Sequence, residues 1–447
     1  MTPAARVAAS IELLETIEEA GRKPADAVAN AFFRDRRFIG SGDRRTISDR
    51  VWGVLRARRR LGWWIEYAGG EASARMMVAT SLLMEGWDLA GVDQSFSGGK
   101  YGAQKLEDYE RGILRKIEGR SWDHPNMPEY VKLELPEFIV PMLREKFGTR
   151  LEAEIAAMGN EAPLDLRVNL LKSNLDEARA LLAREGFEAE PMKFSPFGLR
   201  IKGRRPVTSG KAFQDGQIEI QDEGSQMVAM MVGAKPGMRV VDWCAGAAGK
   251  TLALAAIMEN KGQIIACDVS APRLEGAVRR LRRAGAFNVE RHLSVPGDKW
   301  AKRRAGNFDR VLVDAPCTGT GTWRRNPDGR LRLAEIDVQE LVVKQAAILD
   351  DAARLVKPGG RLIYATCSLL PAENEQQIDA FLRRHPEFTV VPLEQVWNFG
   401  PLPCAGPYLS LTPRVHDTDG FFGAVLERAA VGKIEGAKIE DTGATDE

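Results

Sequence analysis

The sequence predicts a doubly wound, mostly parallel α/β sheet, preceded by a small α+β domain and an amino-terminal all-helical bundle. Three observations carry this. From about Gln217, apolar strand-length runs alternate with helix-length segments. Before them lies a mixed segment with strand patterning on either side of one capped helix. From Val7 to about Glu118, apolar residues recur at helical spacing.

In the bundle, Val7, Ile11 and Leu14 share one face, and Pro24 sits where a helix starts, with Val28 and Phe32 one turn apart. Ile47, Val51, Val54 and Leu55 form another apolar stripe, trailed by Arg56, Arg58, Arg59 and Arg60 and then Trp63 and Trp64. The Met and Trp content here reads as core. Residues 121–128, rich in proline and polar side chains, read as a linker. In the mixed segment, Leu164-Asp-Leu-Arg167-Val-Asn169 is strand-like. Asn174 can cap a helix over 175–184 that Gly186 ends, and 198–202 forms a further strand. Strands then fall at 239–242, 263–268, 310–314, 361–366 and 420–427, with helices at 251–259, 272–284, 336–356 and 372–384. The expected domains are 1–122, 123–215 and 216–430, with a disordered acidic tail at 431–447.

Composition sets bounds. A length of 447 residues fits two to four domains, and 44% hydrophobic residues is ordinary for a globular protein. No apolar stretch is long enough to span a bilayer. The net charge of +1 says nothing about partners. Four arginine-rich patches, at 56–60, 279–283, 302–304 and 324–325, favour a polyanionic partner, although charge runs are usually solvated faces. The polar start, Met1-Thr-Pro-Ala-Ala-Arg6, reads as no signal segment, so a reducing cytoplasm is expected, where disulfides are rare. Cys244, Cys267, Cys317, Cys367 and Cys404 are isolated, and the histidines do not cluster with them, so no metal site is expected.

The chemistry concentrates in two runs. Val311-Leu-Val-Asp314-Ala-Pro316-Cys317-Thr-Gly319 and Leu362-Ile-Tyr-Ala-Thr366-Cys367-Ser368 read as buried parallel strands that each end in a cysteine. Ligands of open α/β sheets bind at the carboxyl ends of the strands. Two thiols there, beside Asp314, suggest covalent chemistry on a bound substrate. Either cysteine alone could be simple packing, since cysteine is often a small buried hydrophobe.

The segment from Asp242 to Thr251 is strand, glycine turn, helix. A dinucleotide fingerprint and a Walker loop both need glycine where Cys244 stands. What remains is Gly246 allowing backbone approach, Asp242 before it, and Asp268 placed to accept from ribose hydroxyls. That suits an adenosine cofactor without a pyrophosphate, namely S-adenosylmethionine. Helix capping is the competing role for both acids.

These motifs resemble the NOL1/NOP2/Sun RNA 5-methylcytosine methyltransferases, RsmB type, over nearly the whole chain. Gly246-Ala-Ala-Gly-Lys250 stands where the family usually has Ala-Pro-Gly-Gly-Lys. Asp314-Ala-Pro-Cys317 and Thr366-Cys367-Ser368 match the two cysteine motifs. Arg325-Asn326-Pro327-Asp328, Ile220-Gln-Asp-Glu-Gly-Ser225 and Asp419-Gly-Phe-Phe422 match too, as does Arg50-Val-Trp-Gly-Val-Leu-Arg56 of a NusB-type RNA-binding bundle. The resemblance implies a Rossmann-like class I methyltransferase domain and a methyl group passed to cytosine carbon 5. Small-subunit ribosomal RNA is the expected substrate, with transfer RNA or large-subunit RNA next. It implies Cys367 as nucleophile, Cys317 in product release, Asp314 on the base, and Lys250 lending positive charge to the thiol. A protonated Asp314 would stabilise developing charge. DNA cytosine methyltransferases use the cysteine of a Pro-Cys motif as nucleophile, so the reverse thiol assignment stays open. The implied cofactor residues are Cys244, Ala245, Gly246, Ala247, Ala248, Gly249, Lys250, Asp268, Arg273, Ser294 and Asp314. The family's acid after the third strand is missing: Ser294 holds its position, and Asp298 is a possible replacement. No membrane or metal partner is expected, and a monomer is the default. The rivals are a methyltransferase acting on DNA or a small molecule, a non-enzymatic ribosome assembly factor, and a redox protein.

Overall fold

The computed structural model describes residues 1–202, 205–295 and 297–430; the expected acidic tail lies outside them. They form two compact units. One comprises Met1–Asn160 with Thr322–Glu335; the other comprises Glu161–Gly321 and the chain from Ile336 on.

The first unit is helical. Its longer helices are Pro3–Glu19, Ala25–Asp35, Ser41–Arg56, Arg58–Tyr67, Ala74–Met84 and Asp108–Ile117. They bury one apolar core that includes Leu13, Ile47, Leu61, Val78 and Leu114. The stripe residues Val7, Ile11, Val51 and Val54 are all in it, as their spacing requires. Residues 121–128 are no linker: Met127 is buried in this core, and Trp122 packs against it. Apolar burial outweighs the turn-forming composition there.

The second unit opens with a four-stranded antiparallel sheet of β1 (Leu164–Val168), β2 (Glu190–Pro191), β3 (Gly198–Ile201) and β4 (Ile218–Ile220), in the order β2-β3-β1-β4. Asn174 caps the helix Leu175–Arg184 in a reciprocal box with Glu177. This small sheet is not a free module. Leu166, Val168 and Leu182 share a core with Val240 and Ile264 of the large sheet and with Leu252 of the helix Gly249–Ile257.

The large sheet contains β5 (Arg239–Asp242), β6 (Gln263–Asp268), β7 (Val289–Leu293), β8 (Phe308–Asp314), β9 (Val356–Thr366), β10 (Phe388–Val391), β11 (Leu409–Leu411) and β12 (Phe421–Arg428). Its order is β10-β12-β9-β8-β5-β6-β7, with β11 also on β12. Strands β5 to β9 pair in parallel, and β12 is antiparallel to β9. Both faces are buried. Val240, Ile264, Leu312 and Ile363 face one core, while Val241, Ile265, Val311 and Leu362 face the other. This is why the strands read as continuous apolar runs. The expected helix at 336–356 ends at Ala353, because Val356 already starts β9. The expected helix at 372–384 begins at Glu375, after a 3-10 turn at Pro371–Glu373. Strands β7 and β10 were too polar or too short to stand out.

Candidate active site

The chain runs from β5 outward to β6 and β7, then returns to β8 on the other side of β5. That reversal opens a crevice beyond the carboxyl ends of β5 and β8, the usual ligand site of such sheets. Asp242 ends β5, Asp268 ends β6 and Asp314 ends β8. All the predicted acids therefore lie along one edge.

The first part of the site is the turn after β5. Asp268 is almost fully buried, and its Oδ2 accepts from the Gly246 amide at 2.8 Å while its Oδ1 accepts from the Ser270 amide at 2.8 Å. The Ala245 amide donates to the Cys267 carbonyl, and the Ala248 amide donates to Ala245. Gly246 and Ala248 both have positive φ, +54° and +64°. Ala248 is an L-residue in the left-handed region, at the place where the resembled family has glycine. Ala247 is exposed at the tip, and Gly249 opens the helix Gly249–Ile257. Cys244 has a thiol pushed up by burial and then by the neighbouring Asp314. Arg273 is exposed on the first turn of the helix Ala271–Ala284.

Asp242 is fully buried. Its Oδ2 accepts from the Thr251 hydroxyl at 2.7 Å, so the capping role is partly real. Its Oδ1 is buried without a hydrogen-bond partner among the described residues, as is the Ser294 hydroxyl. Burial pushes the Asp242 carboxyl up to about 6, against the Thr251 hydrogen bond. Unpartnered buried polar atoms on either side of Asp268 fit a polar ligand that would supply the missing bonds. Val269, 76% exposed beside Asp268, offers an apolar surface for a flat ring. Asp298 is otherwise engaged: it bonds the His292 ring at 2.7 Å and accepts from the Trp300 amide.

The second part is the thiol pair. Asp314 pairs with Ala365 in the β8–β9 ladder, so Cys317 and Cys367 leave adjacent strand ends. Their sulfurs lie 3.4 Å apart, and all five cysteines are free thiols. The hydrogen bond to Cys367, and then burial, push the Cys317 thiol well above the ordinary range. Lys250 Nζ donates to Asp314 Oδ2 at 2.6 Å. Burial opposes the Lys250 charge, yet Asp314, and less strongly Asp242 and Cys367, raise its pKa. The expected cation is near Cys367, but its direct partner is Asp314.

The residues that hold the thiol loops were missed in the sequence. Glu373 is fully buried, and its carboxylate accepts from the Thr318 amide at 2.9 Å, the Thr318 hydroxyl at 2.6 Å, Gln345 Nε2 at 2.9 Å and the Ser368 hydroxyl. It therefore clamps the residue after each cysteine. Asn374 Nδ2 donates to the Ser368 carbonyl at 2.8 Å, and the Gly321 amide donates to the Cys367 carbonyl at 2.9 Å. A Cβ at Gly321 would stand 2.2 Å from the Gly420 carbonyl oxygen, so only glycine fits that crossing. An acid five residues after the Cys367-Ser368 pair is the signal that could have flagged Glu373.

The arginine patches are taken up in part by partners within each unit. Arg58 pairs with Glu18, while Arg59 and Arg60 donate their amides to buried Glu134. Arg280 and Arg283 pair with Glu219, and Arg280 also donates to the Ala247 carbonyl at 2.7 Å. Arg324 is buried. Part of this charge is used inside the fold, where burial demands partners, while Arg279, Arg282, Lys302 and Arg303 stay exposed. Among the described residues, no helix is long and apolar enough to cross a membrane, and no three His, Cys, Asp or Glu side chains gather as a metal site.

The 16S rRNA methyltransferase RsmB/F family matches residues 229–427, and the ferredoxin-like domain of RsmF/B-like methyltransferases matches residues 135–208. A probable ribosomal RNA small subunit methyltransferase B from Synechocystis sp. is 32% identical, over 87% of this chain and 92% of that protein. The solved structure of PH0851 is 28% identical and superposes with a TM-score of 0.77, covering 96% of this chain and 99% of that one. A methyltransferase homologue from Pyrococcus horikoshii is 29% identical with a TM-score of 0.59, covering 68% of this chain and all of that one. With the parallel sheet, the turn after β5 and the paired thiols, these likenesses place the chain in the RsmB-type NOL1/NOP2/Sun family of S-adenosylmethionine-dependent rRNA methyltransferases.

Proposed function

We propose that this chain methylates carbon 5 of a cytosine in small-subunit ribosomal RNA through a covalent bond between Cys367 and the base. The observation that carries the reading is the 3.4 Å thiol pair beside the Lys250–Asp314 ion pair, at the switch point of the sheet.

Cytosine carbon 5 is a weak nucleophile. The Cys367 sulfur adds to carbon 6, and the electron pair moves to make carbon 5 enamine-like. When bound, S-adenosylmethionine supplies an electrophilic methyl group. Asp268, Gly246 and Ser294 would hold its adenosine, with Cys244, Ala245, Ala247, Ala248, Gly249 and Arg273 around it. Asp314, oriented by Lys250, accepts from the base's amino group and keeps the ring in register. After transfer the proton on carbon 5 must leave before the Cys367–carbon 6 bond can break. Cys317, within hydrogen-bond reach of Cys367, takes that proton directly or through water. Its raised pKa supports this division: Cys317 keeps its proton while Cys367 attacks. It then passes that proton to a water as it takes the carbon 5 proton, so that it starts and ends as a thiol.

The target base must leave its stack, which costs least in unpaired RNA. The helical unit as a NusB-like RNA-binding domain, the segment around β1 to β4 as an α+β RNA-binding part, and the large sheet with its helices as the methyltransferase part belong to the same proposal. So do a monomeric state and a cytoplasmic setting.

The test uses methyl-labelled S-adenosylmethionine and total RNA from a strain lacking this gene. Parent chain should label RNA at 5-methylcytosine. Cys367→Ala should label nothing, and Cys317→Ala should give a denaturant-resistant protein–RNA band. A band with Cys367→Ala instead reverses the thiol roles. No labelled RNA with any variant, despite cofactor binding, sinks the reading.

A further inference from the structure

The helical unit carries a pocket that the methyl-transfer chemistry does not use. It has a volume of about 290 Å³ and is lined by Trp64, Tyr67, Ala68, Lys116, Arg120 and His124. Its walls are aromatic and its charges are positive. Trp63 and Tyr67, four residues apart on the helix Arg58–Tyr67, stack at 4.6 Å with an angle of 15°. The His124 ring lies 4.8 Å from Tyr67 and 5.3 Å from Trp63. A cluster built only for packing would be covered, yet Tyr67 is 53% exposed.

The polar atoms are oriented for a ligand. The Asn126 amide donates to His124 Nδ1 at 3.1 Å, so the neutral ring carries its proton on Nε2. Lys116 is tied by one bond to the Ala68 carbonyl at 2.8 Å, which fixes the ammonium at the pocket and leaves it further donors. Arg120 uses Nε on the Lys116 carbonyl, so the two terminal nitrogens of its fork can face an anion. Flat rings beside paired cations match a nucleotide: the base stacks and the phosphate meets the cations.

We propose that this pocket binds one unpaired nucleotide of the RNA substrate, its base against Tyr67, which Trp63 backs, and its phosphate on Lys116 and Arg120. The inference rests on the RNA-methyltransferase reading and adds a second anchoring point to it, on the helical unit. Single-stranded nucleotides suit it because a paired base has no free face to stack.

The experiment uses the full chain and ribosomal RNA carrying 4-thiouridine. Steady-state methylation is measured for parent, Tyr67→Ala, Tyr67→Phe and Arg120→Ala, and the photocrosslinked peptide is identified by mass spectrometry. Tyr67→Ala and Arg120→Ala should raise KM for RNA about tenfold, the scale of one lost base–aromatic stack. Cofactor affinity and kcat should not change, and Tyr67→Phe, which keeps the ring face, should behave as parent. Crosslinks should fall in peptides containing Trp63–Tyr67 or Lys116–His124. An unchanged KM for Arg120→Ala, whose exposed side chain can be removed without unfolding the chain, overturns the site. So does a crosslink map that omits both peptides. Saturation by free cytidine monophosphate with no effect on RNA KM overturns it in favour of a small-molecule pocket. Crosslinking needs no turnover: RNA bound at this pocket without methyl transfer would sink the proposed function and spare the site.

Discussion

Cys317 Sγ and Cys367 Sγ lie 3.4 Å apart although fifty residues separate them in the chain. Parallel pairing of β8 with β9 sets this, because Asp314 is opposite Ala365 and each strand continues into its own cysteine loop. Such proximity has a chemical consequence. Diamide, a thiol oxidant, should join this pair in preference to Cys244 or Cys267, because these two sulfurs already lie within hydrogen-bond reach of each other. Mass spectrometry should find a Cys317–Cys367 disulfide, with methyl transfer lost and then restored by dithiothreitol. Cys244→Ala should leave the disulfide intact, and Cys317→Ala should abolish it. Oxidation that maps to other pairs would mean the two loops are not held as described.

Glu373 is the positioning residue for both loops. Its carboxylate receives donors only, from Thr318, Gln345 and Ser368. Glu373→Gln places an amide among those donors, where one NH₂ group faces others, and a mismatch of this kind in a buried network costs about 1–3 kcal/mol. The loops should shift rather than the domain unfold. A displacement near 1 Å at reacting atoms can cost about 100-fold in rate. The expected result is a single-turnover rate lowered about 10- to 100-fold with cofactor affinity unchanged, since the cofactor turn lies after β5. Equal losses in both would show that Glu373 serves the whole domain's stability instead.

The parallel sheet and both cysteine loops were legible because strands buried on both faces leave long apolar runs, and each run ends in its reactive residue. Asp268 was legible for the same reason. Glu373 was not, because its role depends on three donors from separate parts of the chain, Thr318, Gln345 and Ser368. The partners of some arginines were hidden for a related reason. Glu134 and Glu219, which pair with the side chains of Arg60 and Arg280, lie 74 and 61 residues away from them in sequence. Periodicity reports local structure, and it cannot report which distant acid turns a basic patch inward. Residues 121–128 failed differently: their turn-forming composition is genuine, but the burial of Met127 decides where they pack.

Ala248 tests how the cofactor turn tolerates its departure from glycine. The left-handed conformation costs an L-residue about 1–2 kcal/mol. Ala248→Gly removes that cost but loses a buried methyl, about 0.8 kcal/mol, and adds about 0.5–1 kcal/mol of unfolded-state entropy. The terms nearly cancel, so stability should move by less than about 1 kcal/mol. Ala253→Gly, equally buried but inside the helix Gly249–Ile257, has no strain to relieve and should cost about 1.5–2 kcal/mol. Ala248→Val should be worse than either, since a β-branched side chain is poorly accommodated there. Urea midpoints of the three variants decide the matter, and an Ala248→Gly loss as large as that of Ala253→Gly would show that the turn carries no strain.

Asp242 should leave a mark on the pH dependence of stability. Its carboxyl is pushed up to about 6 by burial, while an unfolded chain gives about 3.9. Below pH 4 the group is protonated in both states and the native state keeps its full advantage. As pH rises through 4 to 6 the unfolded chain ionises first, so that advantage, about 3 kcal/mol at most, is lost. Asp242→Asn stays neutral throughout. Its stability relative to the parent should therefore rise between pH 4 and pH 7, even if the variant is weaker at pH 4 through altered bonding to Thr251. The comparison must be between variant and parent, because burial also raises Asp165 and Glu223. Cofactor binding supplies a second arm. A donor or cation brought to the unpartnered Oδ1 favours the ionised form. Saturating S-adenosylhomocysteine should then flatten the parent's slope over this window and leave Asp242→Asn unaffected. Parallel pH curves for variant and parent, with and without the ligand, would remove Asp242 from the cofactor site.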